Sequence, residues 1–437
     1  MLKNLHRVIE QLGVHQALAI TSPAGEGVFL VGGAIRNNLL GLPFDDLDFA
    51  MPFDPTPLAR QLAKTLRGHW FMLDEQRRQA RVLCTWQGEP LTLDFAPFRG
   101  PTLDDDLKRR DFTFNSLALP VWPRSNSDTI IDPCGGLQDL QKRQLRVWDR
   151  SVLEEDPVRL LKGVRHAVQL DLRLDPTSAE WMQQLASSLA SAPGERLRTE
   201  LASILGHSRV ADGFRLLYEL QMLPSLFGLQ PDFEHYSQRA LQARQQLDDL
   251  GQELPATLQP LFDSNLEEGL SCRNMFLLSL VLGYGLQQAQ IEEMTDRLKL
   301  SRRSARVLAM ACSWQSPDEA EFRSVAERPR SRALWVQENI PEPVEGMLWL
   351  LLQAKEDDRT WLMQALQDYL DHCMGVRIPD LLDGTQVMRI TGTIRGPQLG
   401  RLLKQLRFEE ISGRIETADD AEKFLCSWTE KIIDRSQ

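Results

Sequence analysis

The first third of the chain alternates between two hydrophobic periods, and the remainder keeps only one. An apolar run at Val28–Val31 stops at Gly32 and Gly33, which predicts a short strand ending in a turn. Ile35, Leu39 and Leu40 then fall on one side of a short helix closed by Gly41 and Pro43. From Asp46 the period becomes two: Leu47, Phe49 and Met51 face one way, Asp46 and Asp48 the other, so one strand carries two carboxylates side by side. Pro55–Gly68 returns to a helix, with Leu58, Leu62 and Leu66 four residues apart. Strand-like runs follow at His69–Leu73, Ala80–Trp86 and Pro90–Ala96, and in the last Asp94 shares the polar face with Thr92 and Ala96. Asp104–Pro120 reads as a charged segment leading into an apolar helix-like run, and Asp132–Trp148 as a Gly-Gly turn, a short helix and a closing strand.

Beyond about residue 150 strand signals all but vanish. Asp156 and Pro157 suit the N-cap and first turn of a helix with Leu160, Leu161, Val164, Ala167 and Val168 as its buried stripe. Arg159, Lys162 and His166 lie along another face, and Asp156 and Arg159, three apart, are expected to lie together. A further helix begins at Gly194–His207, and helical patterns continue to the C-terminus with breaks near Pro224, Pro255, Pro317, Pro341 and Pro379. The expected fold class is α+β: a head of mixed sheet and helices over residues 1–148, then an all-helical remainder.

Composition narrows the choice of chemistry. The chain has 437 residues, room for two to four domains, and its 42% hydrophobic and 25% charged residues are ordinary for a soluble globular protein. MLKNLHRVIEQLG is amphipathic and lacks the apolar core of a signal peptide, and no apolar run is long enough to span a bilayer. A cytoplasmic protein with no membrane partner is therefore expected, and no protein partner is evident. The six cysteines show no paired spacing, which suggests neither a zinc site nor a disulfide framework. A net charge of −11 argues against a generally polycationic nucleic-acid binder and leaves room for a local basic surface. Basic residues do cluster, at Lys108–Arg110 and at Arg159, Lys162 and Arg165, but such clusters are solvated faces unless a site lies beside them.

Two aspartates on a rigid strand suit magnesium, which takes oxygen ligands and is commonly shared between one or two carboxylates and substrate phosphates. The glycine pair opening a helix supplies backbone N–H groups for an anion, and Arg36 adds a fixed positive charge one turn on. A Gly-Gly alone is a turn and an Asp-x-Asp alone a strand end; together in one segment they read as a metal-triphosphate site, which Asp94 on a neighbouring strand could complete. Arg109, Arg110, Asp111 and Asn115 either face a nucleotide's phosphates and ribose or form a charged helix start. Asp156 with Arg159 offers acceptor and donor to a base edge, or else is a capped helix with an exposed cationic face.

VGGAIRNNLLG with DLD, RRDFTFNSLA, DPCGGLQDL, EDPVRLLKGVR and GERLRTEL occur in this order over residues 28 to about 205. Together they resemble the class II nucleotidyltransferases, the bacterial and eukaryotic tRNA nucleotidyltransferases and bacterial poly(A) polymerases. The resemblance implies a head at 1–148, a helical neck with the base-selecting motif at 149–210 and a helical body and tail that bind RNA at 211–437. It implies Asp46, Asp48 and Asp94 as catalytic carboxylates holding two Mg2+ ions, and Gly32, Gly33 and Arg36 as the triphosphate site. Arg109, Arg110 and Asp111, with Asn115, would recognise ribose. Asp156 with Arg159, followed on the same helix by Lys162 and Arg165, would read the base in place of a nucleic-acid template. Glu195, Arg196 and Glu200 would brace the neck. Lys162 and His166 stand where arginine and phenylalanine are common.

Only GPTL separates Arg99 from the acidic run before RRDFT, whereas full CCA-adding relatives carry a longer flexible segment that switches the base pocket from cytosine to adenine. The short segment resembles the CC-adding subgroup. The expected substrates are the tRNA 3′ end and CTP, with ATP as the alternative nucleotide. The alternatives are a full CCA-adding enzyme, an A-adding enzyme or poly(A) polymerase, and a catalytically silent RNA-binding protein on the same scaffold.

Overall fold

The period-two segments pair into one six-stranded sheet. In this computed structural model, which describes residues 2–123, 129–228, 233–282, 286–313, 328–374, 377–393 and 395–434, two N-terminal helices, α1 (Lys3–Gln11) and α2 (Val14–Thr21), precede it. Then follow β1 (Val28–Val31), α3 (Gly33–Leu40), β2 (Asp46–Met51), α4 (Thr56–Leu66), β3 (His69–Asp74), β4 (Gln79–Trp86) and β5 (Glu89–Pro97). After α5 (Leu103–Lys108) and a 3-10 turn at Thr113–Asn115, β6 (Ala118–Trp122) closes the set. The strand order is β3-β4-β5-β2-β1-β6; β2 and β5 run parallel and every other pair antiparallel, so the sheet is mixed.

One face is apolar throughout. Leu47, Phe49 and Met51 of β2 are buried with Leu93 and Phe95 of β5, and the Phe49 and Phe95 rings stack with centroids 5.1 Å apart. α4 lies on this face: Arg60 sits over the Trp70 ring and the Thr56 hydroxyl meets Met72 Sδ. Among the described residues the other face is covered over β1, β2 and β6, where Leu107 of α5 packs with Val31, Ala50 and Ala118.

One expected element changes type. The apolar run at Leu117–Val121 reads as helix-like in sequence, yet residues 118–122 form edge strand β6 on β1. The run is too short to fill a helix, and Pro120, which has no N–H to give, is tolerated at a sheet edge. The closing strand of the Asp132–Trp148 segment, β7 (Gln144–Leu145), follows α6 (Gly136–Gln141) and pairs with β8 (Arg173–Leu174), outside the main sheet. Gly136 is held so close to the 3-10 turn that a Cβ there would stand 2.1 Å from the Thr113 carbonyl oxygen, which explains the glycine.

The head continues without a break into helices α7 (Arg150–Glu155), α8 (Val158–Gln169), α9 (Pro176–Gln184), α10 (Gly194–Leu205) and α11 (Val210–Glu219), and residues Met1–Pro231 form one compact unit. Asp232–Gln437 is a second unit, helical apart from a small hairpin at Asn265–Glu267 and Leu270–Ser271. Its helices stop before Pro255, Pro341 and Pro379 as expected; Pro317 lies outside the described residues. Buried acids here carry arginine partners: Asp368 meets Arg332, and Glu345 accepts from Arg303 at 2.5 Å. Arg306 bonds Glu342, so two of the three arginines at 302–306 are tied to acids of their own unit.

Candidate active site

The parallel pairing of β2 and β5 fixes the geometry. Asp48 stands opposite Asp94 and Asp46 opposite Thr92, so all three aspartates share the polar face of two adjacent central strands. Burial, opposed by Arg110 and reinforced by Asp46 and Asp94, pushes the Asp48 carboxyl up to about 6. Asp46 is also raised, by burial and then by Asp45. Carboxylates that repel each other in a part-buried setting fit a divalent cation, which would remove the penalty. Among the described residues no three His, Cys, Asp or Glu side chains are arranged to hold an ion by themselves. At Asp94, Arg81 of β4 donates Nε to Oδ1 and Nη2 to Oδ2, both at 2.7 Å. The two free acids, Asp46 and Asp48, are the residues able to share an ion with substrate phosphates.

The glycine turn abuts these acids. Gly32 has φ +78°, and a Cβ on it would lie 3.2 Å from Asp48 Oδ2 and 3.3 Å from Arg110 Nη1. Its own N–H is spent on the Leu117 carbonyl, so the open donors are those of the α3 start from Gly33 onward. Arg36 is anchored on α3: Nη1 donates to Asn115 Oδ1 at 2.5 Å, Nε and Nη2 to Asn37 Oδ1, and its guanidinium lies 5.8 Å from the Phe114 ring centre.

The RRDFTFN segment divides. Arg110 is drawn in, donating Nε and Nη2 to buried Asp106 at 3.1 and 3.0 Å, beside Asp48. Arg109 turns outward and donates to the Arg99 carbonyl, so the structure does not bring the two arginines together. Asp111 is buried; its Oδ1 accepts from the Phe112 N–H and Asn115 Nδ2, and its Oδ2 meets Lys162 Nζ at 2.6 Å. Burial would raise this carboxyl, but the Lys162 ammonium, with the Asn115 amide, outweighs it and holds it well below the usual range. A chain Arg36–Asn115–Asp111–Lys162 thus runs from the glycine turn to α8. His166 closes it underneath, buried edge-on against Phe112 and Phe114 and held neutral by burial and the nearby Arg165 and Arg36.

On the neck side the expected Asp156–Arg159 pair is not formed. Asp156 receives two bonds from Arg196 of α10, at 3.0 and 2.7 Å, while Arg159 donates to the Val152 carbonyl at 2.7 Å and to Glu155 at 3.2 Å. Asp156 sits before α8 in extended conformation, φ −145°, capping the Val158 N–H, so the three-residue spacing that aligns helical side chains does not apply to it. Arg165 bonds Glu200, and this contact with Asp156–Arg196 ties α8 to α10. Glu195 is exposed.

Residues 28–146 match the family described as the poly A polymerase head domain, and residues 171–236 the one described as the probable RNA and SrmB-binding site of polymerase A. The chain is 28% identical to a CC-adding tRNA nucleotidyltransferase of Geobacter sulfurreducens, over 96% of this chain and 97% of that one. It is 31% identical to an A-adding tRNA nucleotidyltransferase of Deinococcus radiodurans, over 94% and 97%.

The chain belongs to the class II tRNA nucleotidyltransferase family.

Its fold agrees: a CCA-adding enzyme solved with CTP superposes with a TM-score of 0.65, covering 97% of this chain and 96% of that one at 19% identity. CC-adding and A-adding relatives both match nearly end to end, so overall similarity does not separate the two specificities. In this nucleotidyltransferase several site neighbours escape sequence reading. Arg81 lies in a run that reads only as a strand, and its alternation with Val82 was the one signal that it shares the face of Asp94. Asp106, which holds Arg110, sits in an acidic run in which no single residue stands out.

Proposed function

We propose that this nucleotidyltransferase adds cytidines, CC only, to the 3′ end of immature tRNA, taking CTP and releasing pyrophosphate. The observation that carries the chemistry is the register of Asp48 with Asp94 beside a glycine turn and two anchored arginines, Arg36 and Arg110. The primer 3′-hydroxyl oxygen forms a bond to the α-phosphorus as the bond to the bridging oxygen breaks; pyrophosphate leaves with the electron pair and the hydroxyl proton passes to solvent. Asp46 and Asp48 would hold Mg2+, with Asp94 behind them under Arg81. Bound magnesium, two ions in this reading, would lower the pKa of the attacking hydroxyl and offset charge on the pyrophosphate. The α3 start, Arg36 and Arg110 would orient the triphosphate, and Asp111 with Asn115 would meet the ribose. Arg159, Lys162 and Arg165 line the neck side, where base reading by Asp156 and Arg159 would require Asp156 to leave Arg196. Residues 1–148 would carry the chemistry, 149–210 base selection and 211–437 RNA binding.

The CC-only reading is supported by the link after β5. Residues 98–102 turn directly into α5, and Thr102 and Asp105 close a reciprocal capping box there. A Cβ on Gly100 would stand 2.5 Å from Asp105 Cβ, so this link is a tight turn without length to act as a lever. An A-adding enzyme is the second reading, favoured by the end-to-end match to an A-adding relative. Primer extension on tRNA transcripts ending before CC, after C and after CC, with labelled CTP or ATP, tests the choice. CTP incorporation on the first two with ATP ignored on the third is expected. ATP addition after CC overturns CC-only specificity, ATP addition to unrelated RNA indicates a poly(A) polymerase, and no labelling with intact tRNA binding indicates a silent scaffold.

A further inference from the structure

The polar face of the sheet does not end at Asp94. Cross-strand register carries it outward in two rows: Asp48, Asp94, Arg81 and Phe71, and beside it Asp46, Thr92, Leu83 and His69. Over β1, β2 and β6 this face lies under α5, but over β4 and β3 it is open. Phe71, Leu73 and Leu83 are 42, 45 and 43% exposed there, and among the described residues they are the large apolar side chains that stand exposed on strands. Strand positions that face water are ordinarily polar, so an aromatic and two leucines beside an arginine mark a surface with an occupant.

We propose that this outer face of β4 and β3 is the platform on which the single-stranded 3′ end of the RNA acceptor lies, with a base stacked on Phe71, Leu73 and Leu83 flanking it and Arg81 facing the backbone. The inference rests on the nucleotidyl-transfer reading and adds to it the direction from which the acceptor arrives. In-line displacement requires the attacking and leaving oxygens on opposite sides of the α-phosphorus. The anion-holding groups, the α3 start, Arg36 and Arg110, all lie on the β1 side of the carboxylates, so pyrophosphate departs there. The acceptor hydroxyl then enters from the β5 side, and continuing outward along the sheet meets Arg81 and Phe71. Arg81 spends one edge of its guanidinium on Asp94 and is one-third exposed, leaving N–H groups and a positive charge toward the open face. An aromatic ring and an arginine in line are the elements that hold single-stranded nucleic acid without reading its sequence. Three strand spacings put Phe71 about 14 Å from Asp48. The terminal nucleoside does not span that distance, so the stacked base is one that precedes it.

Phe71→Ala, Phe71→Tyr and Leu83→Ser, compared with the unaltered full chain, test the platform. In extension of a tRNA transcript, Phe71→Ala is expected to raise the KM for RNA about ten-fold while the KM for CTP does not follow, and Phe71→Tyr to restore it. Leu83→Ser should move the same constant in the same direction by less. A binding readout independent of turnover uses transcripts with 2-aminopurine placed in turn at each of the last three positions. Quenching at one position on binding, lost in Phe71→Ala and regained in Phe71→Tyr, is the expected result. Unchanged RNA KM and unchanged quenching in folded Phe71→Ala would overturn the platform. Should the unaltered protein label no RNA, the transfer reading fails by itself, and the quenching comparison still decides whether RNA lies on this face.

Discussion

Both compact units match their buried acids with cations, and the first sets one half-buried acid, Asp48, apart from that rule. In Asp232–Gln437, Asp368, Glu345 and Glu410 are buried and each is met by an arginine, Arg332, Arg303 and Arg407. In Met1–Pro231, Asp48 is held in the sheet beside Asp46 and Asp94, its nearest arginine committed to Asp106, and its carboxyl is pushed up to about 6. A matched acid lowers the cost of burial and serves the fold; an unmatched one raises that cost, and a cation bound beside it would offset it. The same contrast holds within the head, where Asp94 under Arg81 is matched and Asp48 across the register is not.

The strongest break of this contrast is Asp48→Asn, which should lower nucleotide incorporation at saturating substrates by about a thousand-fold or more, measured by single-turnover extension. On the matched side, Arg332→Ala leaves Asp368 buried without its partner and should cost about 3–5 kcal/mol in the unfolding of the second unit, read by denaturant titration. The sign for Asp48 is the reverse. Its folded pKa lies above the unfolded value of 3.8, so its contribution to stability is present below that value and is lost as pH rises through about 6. That loss amounts to as much as about 3 kcal/mol in the metal-free protein. Apparent Mg2+ affinity should accordingly fall about ten-fold per pH unit below about 6, as protons compete for Asp48, which calorimetric titration across pH 5–8 would check. The smallest effect is expected at Gly32→Ala, where a left-handed φ of +78° and the Asp48 oxygen at 3.2 Å should cost about 1–2 kcal/mol and raise the KM for CTP.

Much of the head is visible in the pattern of the chain. The run Val28–Val31, the glycine turn and the alternation from Asp46 to Met51 are local signals, and the strands and helix follow them closely. Asp94 is legible for the same reason, since a period of two puts it on a polar face whichever strand it pairs with. What is illegible depends on partners distant in sequence. Asp156 is taken by Arg196, forty residues away, and no local spacing reveals that contact. Arg81 becomes meaningful only when β4 pairs with β5, and Leu117–Val121 becomes a strand only because β1 offers an edge. The split of Arg109 from Arg110 turns on one residue's direction at the end of α5, where Asp106 captures the second guanidinium.

If Asp48 is an acid left unmatched for a metal-bound nucleotide, thermal melting of the unaltered protein and of Asp48→Asn at pH 7.5, with EDTA and with magnesium, will separate the two. Without metal Asp48→Asn should melt a few degrees higher, and magnesium should raise the melting temperature of the unaltered protein alone. An Asp48→Asn variant that melts lower in EDTA, or that gains as much from magnesium as the unaltered chain, would mean that Asp48 is not held for a metal-bound nucleotide.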